Sequence, residues 1–163
     1  MNVRPPVIRK LCLPLLVVWA FGCEPSSSAS LYTIPKDHIT VLVGDAGKSL
    51  CSMFDAGIGN NLDLVHPSDS VLLKVQQQLP EFIRVNQPSM FKKFYKYRFQ
   101  VACARNSGKT FLFINAFDES ILVDRPKMRF QPVDVQDGGD SFWKITYSIE
   151  KKTFTKLSVN GSA

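Results

Sequence analysis

The stretch YKYRFQVACARNSGKTFLFINAF, residues 95–117, decides the fold. Its first part alternates, with Tyr95, Tyr97, Phe99, Val101 and Cys103 on one side and Lys96, Arg98, Gln100, Ala102 and Ala104 on the other. A period of two is the repeat of a β-strand, and the contrast between the sides is that of a strand buried on one face. Asn106-Ser107-Gly108-Lys109 supplies turn chemistry, and residues 110–117 are apolar enough for a central strand covered on both faces. Two such runs joined by a short glycine-containing turn make a β-hairpin.

Toward the C-terminus, an irregular stretch broken by Pro126 and Pro132 leads to Asp137-Gly138-Gly139-Asp140, a tight turn. Trp143, Ile145, Tyr147 and Ile149 then alternate with Lys144, Thr146 and Ser148, Glu150-Lys151-Lys152 turns the chain, and residues 153–159 return as a second hairpin. Toward the N-terminus, Pro67-Ser68-Asp69 opens a helix with Val71, Leu72, Val75 and Leu79 on one face. That helix is expected over 69–79, with Pro80 either ending it or beginning a further turn through Phe82 and Ile83. A short helix over 89–94 follows Pro88. Residues 31–34 and 39–43 are short β-rich segments, the second closed by a turn at Gly44-Asp45-Ala46-Gly47, and 48–54 fits a helical turn or a strand equally. Short strands, then helix, then a run of hairpin strands give an α+β fold: helix or helices packed on one face of a curved antiparallel sheet of about 4–6 strands. The order of elements, closing on a strand pair that carries Trp143, resembles the cystatin-like and NTF2-like folds. That resemblance implies a fold and assigns no functional residue.

The chain has 163 residues, 45% of them hydrophobic and 21% charged, which suits one globular domain. This composition excludes a multi-pass membrane protein, a fibre, a repeat array and a disulfide-dense mini-protein. The net charge is +6, yet Arg4, Arg9 and Lys10 crowd the first ten residues and no acid precedes Glu24. Taking those three from 20 basic residues leaves 17 against 14 acidic ones, a net of +3. Much of the basicity therefore belongs to the leader.

That leader has the plan of a secretory signal peptide: a basic start, an apolar run from Leu11 to Phe21, then Gly22-Cys23. The run is about 11 to 13 residues, short of the roughly 20 that span a bilayer, and Pro14 interrupts it. Trp19-Ala20-Phe21-Gly22-Cys23 resembles the lipobox of bacterial lipoproteins, in which small residues precede a cysteine that is acylated and becomes the first residue. The resemblance implies a signal peptide over 1–22, lipidation at Cys23, and attachment to the membrane through that lipid anchor. Residues 23–30 then form the lipidated cysteine and a polar linker, and 31–163 a single domain. Glu24 is not the aspartate that retains such proteins at the inner membrane of enteric bacteria, which implies the periplasmic face of the outer membrane. The alternatives are an ordinary signal peptide cut near Ala29, with Cys23 discarded, and an uncleaved anchor.

Of four cysteines, Cys12 leaves with the leader and Cys23 carries lipid, so Cys51 and Cys103 remain. In an oxidising periplasm a single disulfide between them is expected, and a ~50-residue loop would contribute roughly 4 kcal/mol. Two unrelated buried thiols are the alternative. Gly44-Asp45-Ala46-Gly47-Lys48-Ser49 ends like a phosphate-binding loop, but Leu42 stands where the first glycine belongs; Ser107-Gly108-Lys109-Thr110 fails in the same way at Cys103. His38 and His66 have neither the histidine nor the cysteine spacing of a zinc site, and no Gly-x-Ser-x-Gly elbow marks a hydrolase. No catalytic residue, metal or cofactor is assigned. Partner contacts fall on Asp137 and Asp140 at the double-glycine turn and on Lys92, Lys93 and Lys96, which interleave with aromatics as an amphipathic helix running into a strand requires. Nucleic acid is not an expected partner of an exported protein. The reading is a small non-enzymatic envelope lipoprotein that binds a macromolecule, as an envelope factor or an inhibitor or immunity-type protein. Its rival is a carrier of a small apolar ligand, walled by Phe99, Phe111, Phe113, Trp143 and Tyr147 between helix and sheet.

Overall fold

The computed structural model describes residues 32–54, 62–121, 125–135 and 137–161. The signal peptide, Cys23 and the linker expected over 1–30 lie outside them.

The expected hairpins form the body of the sheet. β3 (Tyr97–Asn106) pairs antiparallel with β4 (Lys109–Asp118), β4 with β5 (Phe142–Ser148) and β5 with β6 (Thr153–Val159). β1 (Ile39–Val41) and β2 (Asp63–Leu64) share the other edge of β3, giving six strands in the order β1-β3-β4-β5-β6 with β2 beside β3. β2 is antiparallel to β3, but β1 runs parallel to it, Ile39 opposite Phe99 and Val41 opposite Val101. The sheet is therefore mixed rather than antiparallel throughout. The fold class is α+β, as the order of elements implied.

The helices occupy both faces instead of one. α2 (Asp69–Asn86) and the short α3 (Pro88–Phe91) cover the face bearing Phe99, Val101, Cys103, Leu112, Ile114, Ala116, Trp143, Ile145 and Tyr147. α1 (Gly44–Ser52) lies on the other face, where Leu42, Leu50 and Cys51 pack on Ala102, Ala104 and Phe113. That second layer over Ala102 and Ala104, with the segment 127–133 over Gln100, explains why β3 is buried on both sides from Phe99 to Ala104 and not on one, as its alternation implied. Small alanines on the α1 side let that helix approach the strand.

Pro80 neither ends nor interrupts α2, which runs through it for 18 residues. Proline removes the N–H that would have bonded to the carbonyl of Gln76, four residues earlier. The Ile34 N–H takes that carbonyl at 3.2 Å, and Gln76 Nε2 donates back to Ile34 O at 3.0 Å. Burial of Leu79, Pro80 and Ile83 against the sheet supplies the rest of the reason the helix continues. The same exchange explains why 32–34, the described part of the β-rich segment expected over 31–34, is irregular and bonded to α2.

The stretch Gly44 to Gly47 is likewise not a free turn but the first turn of α1, entered through Gly44 at φ +57°. Gly47 is needed for close approach: a Cβ there would stand 2.8 Å from Leu42 O. Gly47→Ala should therefore destabilise the domain by about 1–3 kcal/mol, although alanine ordinarily favours a helix by up to ~1 kcal/mol. A urea midpoint at or above the wild-type value would contradict this.

Candidate functional site

Between β1 and the first half of α2 the surface opens into a groove of about 340 Å³, lined by Lys36, Ile39, Val41, Asp69, Leu72, Leu73 and Gln76. Its origin is local. Ile39 and Val41 lie in register with Phe99 and Val101 and so turn toward the helix face, while Leu72 and Leu73 come from the turn of α2 opposite them. Leu73, on the helix wall of this groove, is 51% exposed. With Ile39, Val41 and Leu72 it forms an apolar trough beside the sheet edge, of the kind that marks contact surfaces. Lys36 and Asp69 supply one charge of each sign.

The residues expected to meet a partner are distributed differently. Lys93 Nζ sits 2.6 Å from Asp140 Oδ1, and the Tyr97 hydroxyl donates to Asp140 O at 2.6 Å. These contacts hold the double-glycine turn against the end of α3, so Lys93 and Asp140 are partners of one another. Lys92 and Lys96 are exposed beside them, with Lys96 Nζ 6.0 Å from the centre of the Tyr95 ring. Asp137 stands apart, lining a polar surface recess with Asp134, Lys144 and Asn160. The five residues do not converge on one site.

No disulfide joins Cys51 and Cys103, and both are buried free thiols. Cys103 belongs to the α2 face of β3, whereas Cys51 packs on Ala102 and Ala104 from the opposite face, so the strand itself lies between them. Burial, with a smaller contribution from Cys103, pushes Cys51 up to about 12, and burial pushes Cys103 up to about 11. Thiols held neutral in this way are poor nucleophiles. Since an unfolded thiol ionises nearer 9, their contribution to stability is complete below that pH and is lost as pH rises through the folded values. Stability should fall between about pH 9 and 12, and less steeply in Cys51→Ala than in the wild type, as denaturant midpoints would show. Tyr97, raised chiefly by burial and then by Asp140, acts in the same direction.

The aromatics suggested as cavity walls divide between the two faces. Phe99, Trp143 and Tyr147 are on the α2 side, whereas Phe111 and Phe113 are on the α1 side. Trp143 is in ring contact with Phe94, Tyr97 and Phe99 at 5.5–6.4 Å between centroids, so this part of the core is filled by its own side chains. A second recess, about 300 Å³, gathers Asp37, His38, Thr40, Arg98, Glu119, Met128 and Arg129. Arg98 Nε donates to Glu119 Oε2 at 2.6 Å and its Nη1 lies 3.7 Å from Asp37 Oδ2, so one guanidinium faces both carboxylates. His38 Nδ1 is 3.1 Å from Tyr97 O and must carry the proton, since a carbonyl only accepts. This is a structural ion-pair cluster beside a fixed imidazole. Among the described residues no three His, Cys, Asp or Glu side chains could hold a metal ion, and no helix is long and apolar enough to cross a membrane.

The groove was missed in sequence because its signal, the apolar run Ile39 to Val43, does not say which edge of the strand stays unpaired. No protein-family model, no curated protein and no solved structure matches this chain.

Proposed function

We propose that this chain is a small, non-enzymatic lipoprotein of the cell envelope whose folded domain binds a protein partner through the β1–α2 groove. The observation that carries the reading is the open apolar groove at a sheet edge, with Leu73 half-exposed on its wall. The basic and apolar leader ending at Cys23 and the polar linker after it support the tethered half of the proposal. A filled aromatic core favours contact at a surface over carriage of a small ligand inside.

Native membranes solubilised in mild detergent test both halves. The intact mass should begin at Cys23 with acyl chains, and reduction should add no hydrogens. The protein should migrate in a complex larger than its own monomer, and Leu73→Asp, a change on an exposed position, should release it. An unlipidated mass would overturn the anchor, and a wild type migrating as a monomer would overturn the partner.

A further inference from the structure

We infer that the groove is a strand-addition site: it takes an extended segment of the partner protein, paired by its main chain to the outer edge of β1, with alternate apolar side chains set between β1 and α2. This rests on the protein-binding reading above and names what the partner must present.

Three observations carry it. The first is the edge itself. β1 ends the strand order, and among the described residues no strand pairs with its outer side. The opposite edge, β6, is blunted: its pairing with β5 shifts register between Lys144 and Thr146, and Lys156 sits at φ +55°. Bulges and charges are how sheets discourage further pairing, and Ile39-Thr40-Val41-Leu42-Val43 contains no charge, proline or glycine. Among the described residues, one edge carries these features and the other does not.

The second is the match between backbone and groove. A strand laid beside β1, about 4.8 Å away, sends every second side chain to the helix face. Those side chains would enter the trough already walled by Ile39 and Val41 on one side and Leu72 and Leu73 on the other. Main-chain bonds then supply affinity and the trough selects aliphatic residues.

The third is charge. α2 runs back along β1, since Gln76 bonds to Ile34 ahead of the strand while Asp69 begins the helix about 10 Å away along its axis. Lys36 therefore marks the start of β1 and Asp69 lies toward its end, both exposed. Antiparallel pairing is the more stable arrangement per residue. An antiparallel segment would then place a basic residue first, at Asp69, and an acidic one last, at Lys36.

The probe is the peptide acetyl-Lys-Val-Thr-Val-Thr-Val-Glu-amide, titrated into the isotope-labelled full chain and followed through backbone amide shifts. Two further peptides carry N-methyl groups on alternate amides, in complementary sets. Saturable shifts over Ile39 to Val43 and Leu72 to Leu73 are expected, with one methylated set weakening binding by about tenfold or more, the other changing it little, and Leu73→Asp weakening it comparably. Equal binding by all three peptides would mean that the groove takes side chains without strand pairing, overturning the proposal while leaving a protein-binding groove. Absence of shifts, with the native complex still released by Leu73→Asp, would also overturn strand addition and not the partner. A dimer by light scattering that dissociates in Leu73→Asp would assign the edge to a second copy of this chain instead.

Discussion

Trp143→Ala should cost about 3–5 kcal/mol, a large part of what holds a domain of this size together. The indole is fully buried and lies where the packing converges: β5 presents it to β3 and the turn before it, with Tyr97 edge-on at 5.5 Å, Phe99 at 6.0 Å and Phe94 at 6.4 Å. Tyr97 and Phe99 are fixed on β3 and Phe94 on the turn that leads into it, so they cannot close over the lost volume without moving the β3–α3 junction. Trp143→Phe keeps most of the ring area and should cost well under half as much. Urea unfolding followed by far-ultraviolet dichroism reads both. A loss below about 1 kcal/mol for the alanine variant would mean that the core is looser than its ring contacts imply.

The second large effect is predicted for Gln100, a polar side chain in the middle of a strand and fully buried. Its Nε2 donates to Met128 O and Gln131 O, each at 2.7 Å, and its Oε1 accepts from Val133 N at 2.7 Å. Asn115 on β4 extends the arrangement, with Nδ2 2.7 Å from Val133 O and 3.3 Å from Gln100 Oε1. Two amide side chains thus do for the irregular segment 125–135 what a neighbouring strand would do. Gln100→Leu keeps the volume but leaves two carbonyls and an N–H unpaired, and should cost about 2–4 kcal/mol. Hydrogen exchange should quicken over 127–135 while β4 and β5 keep their protection. Unchanged exchange there would show that the segment is held by something else.

The contrast between these residues shows what the sequence could reveal. Trp143 sits in a period-two run, and so do Phe99 and Val101; local alternation was enough to place both hairpins and to put these three side chains in the core, but not to separate Phe111 and Phe113 onto the other face. Gln100 falls on the polar side of the same alternation, and nothing local says that an irregular segment will cover it. The parallel β1 escaped for a related reason, because its partner β3 is some sixty positions away, at Phe99 to Val101. Gly44 and Gly47 read as a turn since glycine is a poor helix former, yet burial of Leu50 and Cys51 carries α1 through them. The disulfide expectation counted cysteines and compartment but not the side of the sheet. Had α1 been recognised as a helix on the second face, the parity of Cys103 with Phe99 would have separated the two thiols. Lys93 and Asp140 were singled out individually, and only the folded chain shows that they neutralise one another across 47 positions.

Occupation of the β1–α2 groove in the cell is the prediction on which the proposed function stands. A photo-activated cross-linking residue placed at Leu73 in the chain expressed in its native host, compared with one placed at exposed Lys152 on the far hairpin, tests this most directly. A discrete adduct from position 73, absent from position 152 and lost when Val41→Asp is added on the facing wall, is the predicted result. Equal adducts from both positions, or none from position 73, would contradict it.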